Sequence, residues 1–595
     1  MKATAIAQKN SHRISLSPIY KSSGMNAAAT AVERPGPAWI ASPAIDLTVG
    51  CGAWSLPLLL TAYALGGGSP ISSAGFYALA LFLNYPHYMA TIYRVYRTQA
   101  GFVRYKAVTV YFTAFLVVAL IAAHLSYRIV PWLFTLYITW SPWHYMGQNF
   151  GLALMFIRRN GIKIERKDRN ALWTAFVASY LMIFLTFHTN SSNDPFILSL
   201  GLPSLLDVFR IPLLGVFAIT GMIALIRLIR QAGWKPMLAP LTLYVTEFLW
   251  FVLPTVLELS TGVRAPQASY SAGSLAVMHC AQYLWITNYY ARQEARGESA
   301  QWVWQAYFAT LIIGGIILFI PGPWVASYLL GRDFAVSVLI FSAIINIHHF
   351  ILDGAIWKLR DKRVSSILTS TDGGPGGGTK PGWWTTLGRP QQLAGAAVIG
   401  LTVLLAGMDQ VRYDLGNSTK STSSMALAAA INPHDSFLFT RLGHAYAHTG
   451  DHVHMENSYR ESIQINPGNL EAQNSLARLL LETGRFDDAY EHYKQMFRNL
   501  TPNAEALMNF GALCKQLKRH DEAINSFERV LVKFPDYGPA HLLLGQMLDE
   551  DGKIAEAIEH YERYTGLQAA SRSNIIDPKL QMAIARLRQL KAEPR

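Results

Sequence analysis

Long apolar runs alternate with short polar loops over the first two-thirds of the chain, and then the runs stop. A helix needs about 20 mostly apolar residues to cross a bilayer. By that measure eleven runs predict spanning helices, at residues 45–66, 73–93, 106–126, 129–157, 170–188, 211–231, 237–258, 272–291, 304–330, 333–357 and 389–408. The pattern predicts an all-α protein with a polytopic transmembrane helical domain of about eleven spans, followed by a water-soluble domain.

A period of 34 residues begins at about residue 420. It places small residues and aromatic residues at fixed intervals, namely Gly443, Ala477, Gly511 and Gly545, and Tyr459, Tyr493, Phe527 and Tyr561. The small residues let the two helices of a hairpin approach closely, and we expect the aromatic rings to fill the gaps between neighbouring hairpins. With the segments "FDDAYEHYKQMFRNLTPN" and "HDEAINSFERVLVKFPD", the region resembles tetratricopeptide (TPR) repeats. The resemblance implies an α-solenoid whose concave surface recruits a protein or peptide partner.

The composition along the chain predicts five segments. They are a mobile N-terminal tail (1–44), a multi-span membrane domain (45–363), a Gly/Pro-rich linker (364–388), a last transmembrane helix (389–408) and a TPR repeat domain (420–595). The linker contains "TSTDGGPGGGTKPG", a composition typical of flexible chain.

The charged residues predict the orientation of the chain. Only 15% of residues are charged and the net charge is +13. Most basic residues of the membrane domain lie in the loops after the second, fourth, sixth, eighth and tenth runs. The positive-inside rule then places the N-terminus in the cytoplasm and the repeat domain outside it. We therefore expect an integral protein of a bacterial inner membrane with a periplasmic TPR domain, and no nucleic-acid partner. The three widely spaced cysteines argue against a disulfide framework and against a cysteine-ligated metal.

Four even-numbered runs contain histidine, as His87, His144, His279 and the pair His348 and His349. Ionisable groups within a bilayer are costly and tend to face an interior site. All four helices are expected to run in one direction, and counting to the basic end of each places the histidines about 10–21 Å above that face. A shared direction and a shared depth predict a common metal site.

The spacing within each helix selects the candidate ligands. Gln148 follows His144 by four residues and Asp353 follows His349 by four, so each pair lies on one helical face. His348 points about 100° away from His349, so we expect only one of the two to bind metal and favour His349. Imidazole and carboxylate without thiolate favour non-haem iron, with manganese, copper or zinc open. The spacing of Asp353 from His349 suits either a second ligand or a carboxylate that orients the imidazole. Asp353 and Gln148 are the candidate catalytic partners.

A further carboxylate lies within the seventh run. Glu247, in "LYVTEFLWFVLP", is a catalytic candidate because intramembrane acids are functional by default, although a hydrogen bond to a neighbouring helix would satisfy it equally well. Aromatic residues around the histidines are expected to line an apolar chamber, namely Tyr85, Tyr88, Trp140, Trp143, Tyr145, Tyr283 and Trp285.

These histidine motifs resemble those of the bacterial Brp/Blh family of membrane carotene-cleaving dioxygenases. The corresponding elements are Pro86-His87, His144 with Gln148, His279, and His349 with Asp353. The resemblance covers at most residues 73–360. It implies an iron-dependent oxygenase that acts on a lipid or isoprenoid substrate within the membrane.

Three other functions remain open. Paired imidazoles on transmembrane helices also ligate haem for electron transfer. A membrane-anchored TPR assembly scaffold without catalysis would use the histidines structurally, although eleven spans exceed what an anchor needs. A transporter would use them as a proton relay, but the membrane domain shows no internal repeat between its halves.

Overall fold

The computed structural model describes residues 38–64, 79–96, 99–189, 200, 202, 204–261, 274–295, 304–359, 361–369, 388–417, 421–500, 502–570 and 577–592. Every regular element in these ranges is helical. The expected N-terminal tail lies outside the described residues up to position 37, and the expected linker does so over 370–387. The first six residues of that linker, 364–369, belong instead to a helix, Lys362–Thr369.

Fourteen labelled helices form the first domain as far as it is described. They are α1 (Ser55–Ala64), α2 (Tyr85–Tyr96), α3 (Thr113–Leu125), α4 (Val130–Arg159), α5 (Arg166–His188), α6 (Arg210–Ala232), α7 (Leu238–Glu247), α8 (Leu253–Thr261), α9 (Ser274–Ala295), α10 (Trp304–Phe319), α11 (Pro321–Leu330), α12 (Phe334–Ile356), α13 (Lys362–Thr369) and α14 (Arg389–Gly416). Short helical turns precede or join several of them, namely Pro43–Ile45, Asp46–Gly50, Ala80–Asn84, Gln99–Arg104, Ala107–Phe112, Tyr127–Ile129, Ser204–Phe209, Lys235–Met237 and Phe248–Val252.

Seven segments among the described residues are long and apolar enough to cross a membrane, so the expected count of eleven is not supported. They are Ala107–Leu125, Arg166–His188, Leu205–Ala232, Lys235–Thr261, Trp304–Leu330, Phe334–Ile356 and Arg389–Gly416. Three of the four remaining runs form α2, α4 and α9, whose mean hydropathy is reduced by the polar residues that they bring to the interior. The fourth, 45–66, is interrupted at residues 51–54 and has a buried aspartate, Asp46.

The C-terminal ends of α2, α4, α9 and α12 meet at one face of the first domain. Arg94 at the end of α2 stacks on Tyr290 of α9 and on Trp357, which caps α12. Arg159 at the end of α4 donates to the hydroxyl of Tyr289 on α9 at 2.9 Å. The four helices that contain the candidate ligands therefore run in the same direction, as the sequence pattern predicts.

The second domain is a succession of short helical hairpins, with a leading helix before them and a closing helix after them. Its elements are α15 (Thr422–Ile431), α16 (Ser436–Thr449), α17 (His452–Ile465), α18 (Leu470–Glu482), α19 (Phe486–Asn499), α20 (Ala504–Gln516), α21 (His520–Lys533), α22 (Gly538–Glu550), α23 (Ile554–Ala570) and α24 (Pro578–Ala592). The three glycines of the 34-residue period face the aromatic ring of their own hairpin. A Cβ on Gly443 would lie 2.4 Å from Tyr459, one on Gly511 would lie 2.5 Å from Phe527, and one on Gly545 would lie 3.3 Å from Tyr561. The rings also reach across hairpins, since the Tyr493 ring centroid lies 5.6 Å from that of Phe510.

The repeat domain docks on the N-terminal end of α12, opposite the basic face. Asp333, the N-cap residue of α12, accepts hydrogen bonds from Ser436 and Asn466 of the first hairpin. Arg412 of α14 bonds Asp435 at 2.7 Å and stacks over the Phe334 ring. These buried polar contacts fix the position of the first hairpin on the helical domain.

Candidate metal centre

Four histidines from four separate helices converge in the interior of the first domain. They are His87 of α2, His144 of α4, His279 of α9 and His349 of α12, and each offers a ring nitrogen within 4.8 Å of those of the other three. All four side chains are buried. The shared direction and depth inferred from the sequence thus bring these residues into one cluster.

The four rings touch one another around a small interior space. Ring centroids are separated by 4.3 Å for His87 and His349, 4.9 Å for His87 and His279, 5.0 Å for His144 and His279, and 4.9 Å for His144 and His349. A proline lies shortly before two of these histidines in the sequence. Pro86 lies in the first turn of α2 and Pro142 lies within α4, where each removes one helical hydrogen bond close to the cluster.

The ring nitrogens match what a metal ion requires. Nε2 of His87 and both ring nitrogens of His279 are buried without a hydrogen-bond partner. Nε2 of His144 and Nε2 of His349 face each other at 3.3 Å. Buried polar atoms are normally paired, so several unpaired nitrogens directed at one point are a costly arrangement unless an ion occupies it. Four neutral imidazoles suit a divalent transition metal.

A chain of hydrogen bonds holds His349 through Nδ1, the ring nitrogen that does not face His144. Since Nε2 faces the other histidines, we assign the ring proton to Nδ1, which lies 2.9 Å from Thr91 Oγ1. The Thr91 hydroxyl lies 2.5 Å from Tyr283 Oη, and Tyr283 in turn donates to Asp353 Oδ1 at 2.5 Å. Trp357 Nε1 donates to the same tyrosine oxygen at 2.9 Å. The chain runs from imidazole to carboxylate, an arrangement that orients a ligand and raises its basicity.

Asp353 therefore lies at the end of this chain and outside the ring of four histidines. Its other oxygen, Oδ2, is 3.9 Å from Nε2 of His144. The sequence offered two roles for this carboxylate, as a ligand or as a group that orients an imidazole. The observed contacts correspond to the second role, exerted through Tyr283 and Thr91.

His348 lies apart from the cluster although it is adjacent in sequence to His349. Its Nε2 atom lies 3.0 Å from Thr113 Oγ1 and 3.4 Å from the Tyr96 hydroxyl. The turn of about 100° between successive helical residues directs it towards α2 and the first residue of α3. Of the adjacent pair, only His349 reaches the candidate metal position.

Gln148 and Glu247 belong to a second buried polar network. Gln148 Nε2 donates to Gln282, which donates to Asn149, which donates to Glu247 Oε2 at 2.9 Å. Glu247 Oε1 also accepts a hydrogen bond from Ser179 at 2.6 Å. The structure thus places Glu247 among the helices α4, α5 and α7, where its carboxylate joins neighbouring helices.

A cavity of about 490 Å³ extends from the histidine cluster towards the basic face. Aromatic and aliphatic side chains form most of its wall, namely Trp140, Trp143, Leu152, Met155, Ile286, Phe350, Ile351, Leu359 and Leu368. His144, Gln148 and Asp353 supply polar groups at the inner end. Gly147 and Gly151, one turn apart on α4, keep the space open, because a Cβ on either would touch nothing within 4 Å. Apolar walls with few polar groups are typical of a small-molecule site.

The sequence patterns do not single out Thr91 or Trp357, and they give Tyr283 only a place in the wall. A signal was nevertheless present, because Thr91 follows His87 by four residues, Tyr283 follows His279 by four and Trp357 follows Asp353 by four. The same spacing selected Gln148 and Asp353. When the four-residue spacing is applied to all four histidine helices, it identifies Thr91 and Tyr283, which belong to the hydrogen-bond chain, and Trp357, which donates to it.

Tyr283→Phe is expected to weaken metal binding roughly 10–100-fold, the usual effect of losing a group that orients a ligand. The substitution removes the hydroxyl that joins Thr91 to Asp353 and leaves the ring in place. A chelator-competition titration of metal-loaded protein measures the change. Tyr244→Phe is the matched control, because that buried hydroxyl donates to the Phe217 carbonyl and lies outside the hydrogen-bond chain. Equal affinities for the two variants would contradict the assigned role.

Comparison with protein-family models identifies the repeats. Two tetratricopeptide repeat models match the second domain, over residues 474–538 and 515–574 and over residues 438–469. The second domain therefore consists of TPR repeats, as the 34-residue period predicts, and is a protein-interaction domain. No curated protein matches the chain. The comparisons do not show the resemblance of the first domain to the Brp/Blh dioxygenases, which stays a hypothesis.

Several solved structures resemble part of the chain. A crystal structure of MamA protein is 22% identical, with a TM-score of 0.24, over 26% of this chain and 82% of its own. A structure of Pseudomonas aeruginosa PilF is 17% identical, with a TM-score of 0.27, over 31% of this chain and 86% of its own. YrrB, described as a TPR protein with an unusual peptide-binding site, is 11% identical, with a TM-score of 0.24, over 29% of this chain and 94% of its own.

Proposed function

We propose that the protein is an integral membrane metalloenzyme, a non-haem iron oxygenase that acts on a lipid or isoprenoid substrate. The observation that carries this proposal is the cluster of four buried histidines at the inner end of an apolar cavity. The TPR domain recruits a protein partner to the enzyme.

The histidines His87, His144, His279 and His349 would hold the ion. Their nitrogen-only donor set suits iron, and also manganese, copper or zinc. An apolar substrate without a leaving group requires activated dioxygen. Iron is favoured because Fe(II) held by these histidines would supply that chemistry. Thr91, Tyr283 and Asp353 keep His349 in one tautomer and orientation.

The cavity supplies the other requirements of such an enzyme. Its aromatic and aliphatic wall binds an apolar chain, and the close packing around the cluster excludes water from the reacting atoms. Gly147 and Gly151 leave room for the substrate beside the inner polar end. Because His144 and Asp353 form part of the wall, a bound molecule lies next to the candidate metal position.

The arrangement of the helices also supports an orientation of the chain in the membrane. Seven apolar segments suit a bilayer, and Arg94, Arg159 and their basic neighbours lie at one end of the helices that contain the ligands. The positive-inside rule assigns that end to the cytoplasm of a bacterial inner membrane. The TPR domain docks at the opposite end through Asp333, and this position supports a periplasmic location for it.

A bis-histidine haem is the second candidate for the cluster. A haem lies between its two axial imidazoles, and these would have to stand apart on opposite faces of the macrocycle. Here the neighbouring rings are in edge-to-face contact, at centroid distances up to 5.0 Å. Because no gap separates the neighbouring histidine rings, the cluster suits a single metal ion better than a haem.

Elemental analysis of the detergent-purified protein, together with its visible spectrum, tests the proposal. The expected result is close to one iron per chain without a Soret band, and oxygen uptake that depends on added lipid extract. A Soret band would contradict the oxygenase and indicate a haem protein that transfers electrons. Absence of any bound metal after reconstitution would contradict the enzyme and favour a membrane-anchored TPR scaffold.

A further inference from the structure

The cavity beside the histidine cluster follows one face of α4. The residues of α4 in its wall are Trp140, Trp143, His144, Gly147, Gln148, Gly151, Leu152 and Met155. Helical residues three and four positions apart are neighbours on one face, and these residues follow that spacing. Met155 lies fifteen positions after Trp140, so the cavity extends for about 22 Å along the axis of α4. The cavity is therefore elongated.

Three glycines line this cavity on two neighbouring helices. Gly147 and Gly151 lie one turn apart on α4, and Gly354 lies on α12. A Cβ on any of the three would meet nothing within 4 Å, so a larger side chain at these positions would extend into open space. The glycines therefore leave room for an extended chain beside both helices.

The two ends of the cavity lie at different heights along α4. His144, beside the inner end, precedes Met155 by eleven positions, which corresponds to a rise of about 16 Å. Met155, Leu359 and Leu368 form the outer end, next to the basic face. One leaflet of a bilayer contributes about 15 Å of hydrocarbon, half of the roughly 30 Å core. The distance from the histidine cluster to the outer end thus matches the length of a chain that fills one leaflet.

Two exposed cations flank the outer end of the cavity. Arg158 Nη1 donates to the carbonyl of Leu359 at 3.4 Å, and Lys358 directly precedes Leu359 in the chain. Within the described ranges, neither cation forms an ion pair with a carboxylate. Other arginines of this face do form ion pairs, namely Arg104 with Asp361 and Arg363 with Glu294. The outer end therefore presents positive charge beside an apolar opening.

We propose that the substrate is a single-chain amphiphile with an anionic head group, such as a carboxylate or a phosphate. The head group binds between Arg158 and Lys358, and the chain extends along α4 to the histidine cluster. This inference rests on the proposed function in taking the cavity as the substrate site. Basic side chains at a membrane surface attract anionic head groups, and the apolar wall accepts the chain. The carbon beside the cluster then lies about 16 Å from the head group, far along the chain.

Photolabelling of the full-length protein in lipid nanodiscs tests the direction of the bound chain. The probes are two hexadecane sulfonates, one with a diazirine near the far end of the chain and one with a diazirine next to the sulfonate. The far-end probe is expected to label α4 around Trp140 and Trp143, and the other probe is expected to label the wall around Met155 and Leu368. Gly151→Leu adds a side chain to the cavity, so it is expected to remove the far-end labelling.

Arg158→Gln combined with Lys358→Gln tests the binding of the head group. The double variant is expected to raise the sulfonate concentration for half-maximal labelling about tenfold, the effect of losing two exposed charge pairs. Labelling by hexadecanol with the same far-end diazirine is expected to change less than about twofold. Arg166→Gln combined with Arg230→Gln is the matched control, because these exposed cations belong to the same face and lie outside the cavity wall. The control measures the general effect of positive charge at this face.

Labelling of the same positions by both sulfonates, or an equal effect of the two double variants on the sulfonate, would overturn the inference. Metal content is measured on the same samples. The expected labelling in a protein that binds no metal would preserve this inference and contradict the proposed enzyme. Normal metal content, with labelling that does not depend on the charge of the head group, would do the reverse.

Discussion

His349→Ala is expected to abolish metal binding at the proposed site, and His348→Ala is expected to leave it intact. Both substitutions delete an imidazole from adjacent positions of α12, so they match closely in their effect on hydropathy. Only His349 has a nitrogen that faces the other three histidines, whereas His348 bonds Thr113. Loss of a direct ligand should reduce metal affinity by more than the roughly 10–100-fold typical of an orienting partner.

Metal content per chain, measured after equal reconstitution of both variants, checks this result. Thermal unfolding of the metal-free proteins shows whether each variant retains the fold. His279→Ala provides a second test of the cluster, because neither of its ring nitrogens has another partner. Full metal content in His349→Ala, or equal loss in His348→Ala, would rule out the four-histidine site.

Asp333→Ala separates the TPR domain from the helical domain. This aspartate is fully buried, and it accepts hydrogen bonds from the Ser436 hydroxyl at 2.5 Å, from the Ser436 backbone N–H at 3.3 Å and from Asn466 Nδ2 at 3.0 Å. Hydrogen bonds to a charged group contribute about 1.5–3 kcal/mol each, and removal of the acceptor leaves the donors buried and unpaired. We expect a loss of docking free energy on the order of 3–5 kcal/mol.

Hydrogen–deuterium exchange of the first hairpin, α16 and α17, measures the separation. Faster exchange is expected there in Asp333→Ala, with no change in the last hairpin, α22 and α23. Asp414→Ala is the control, since that exposed carboxylate lies at the same end of α14 as Arg412 and accepts a hydrogen bond from Gln410 on its own helix. Unchanged exchange in Asp333→Ala would mean that the apolar contacts and the Arg412–Asp435 pair suffice to hold the domain.

The two predictions concern opposite ends of one helix. The docking residue Asp333 caps the N-terminus of α12, and the same helix contains the proposed ligand His349 and the carboxylate of Asp353. Metal content in Asp333→Ala therefore also reports whether the docked TPR domain supports the metal site. The first domain packs its own core around the cluster, so we expect the metal to remain when the TPR domain is released.

The TPR domain could be predicted from the sequence because its fold is encoded locally. Each hairpin contacts its neighbours in the chain, so the 34-residue period directly reports pairs such as Gly511 with Phe527. The convergence of His87, His144 and His279 with His349 was also predictable, because helix direction and depth follow from charge and from a fixed rise per residue.

What could not be predicted depends on contacts between distant parts of the chain. Counting apolar runs gave too many spans, because α2, α4 and α9 direct polar groups into an interior that hydropathy does not describe. The bond from Thr91 to His349 joins residues 258 positions apart, and the carbonyl of Gly50 that accepts a hydrogen bond from Gln282 lies 232 positions away from it. The sequence determined which residue types reach the middle of the helices. Only the tertiary structure decided which of them bind one another, because hydrogen-bond partners are set by the packing of helices and not by spacing along any one of them.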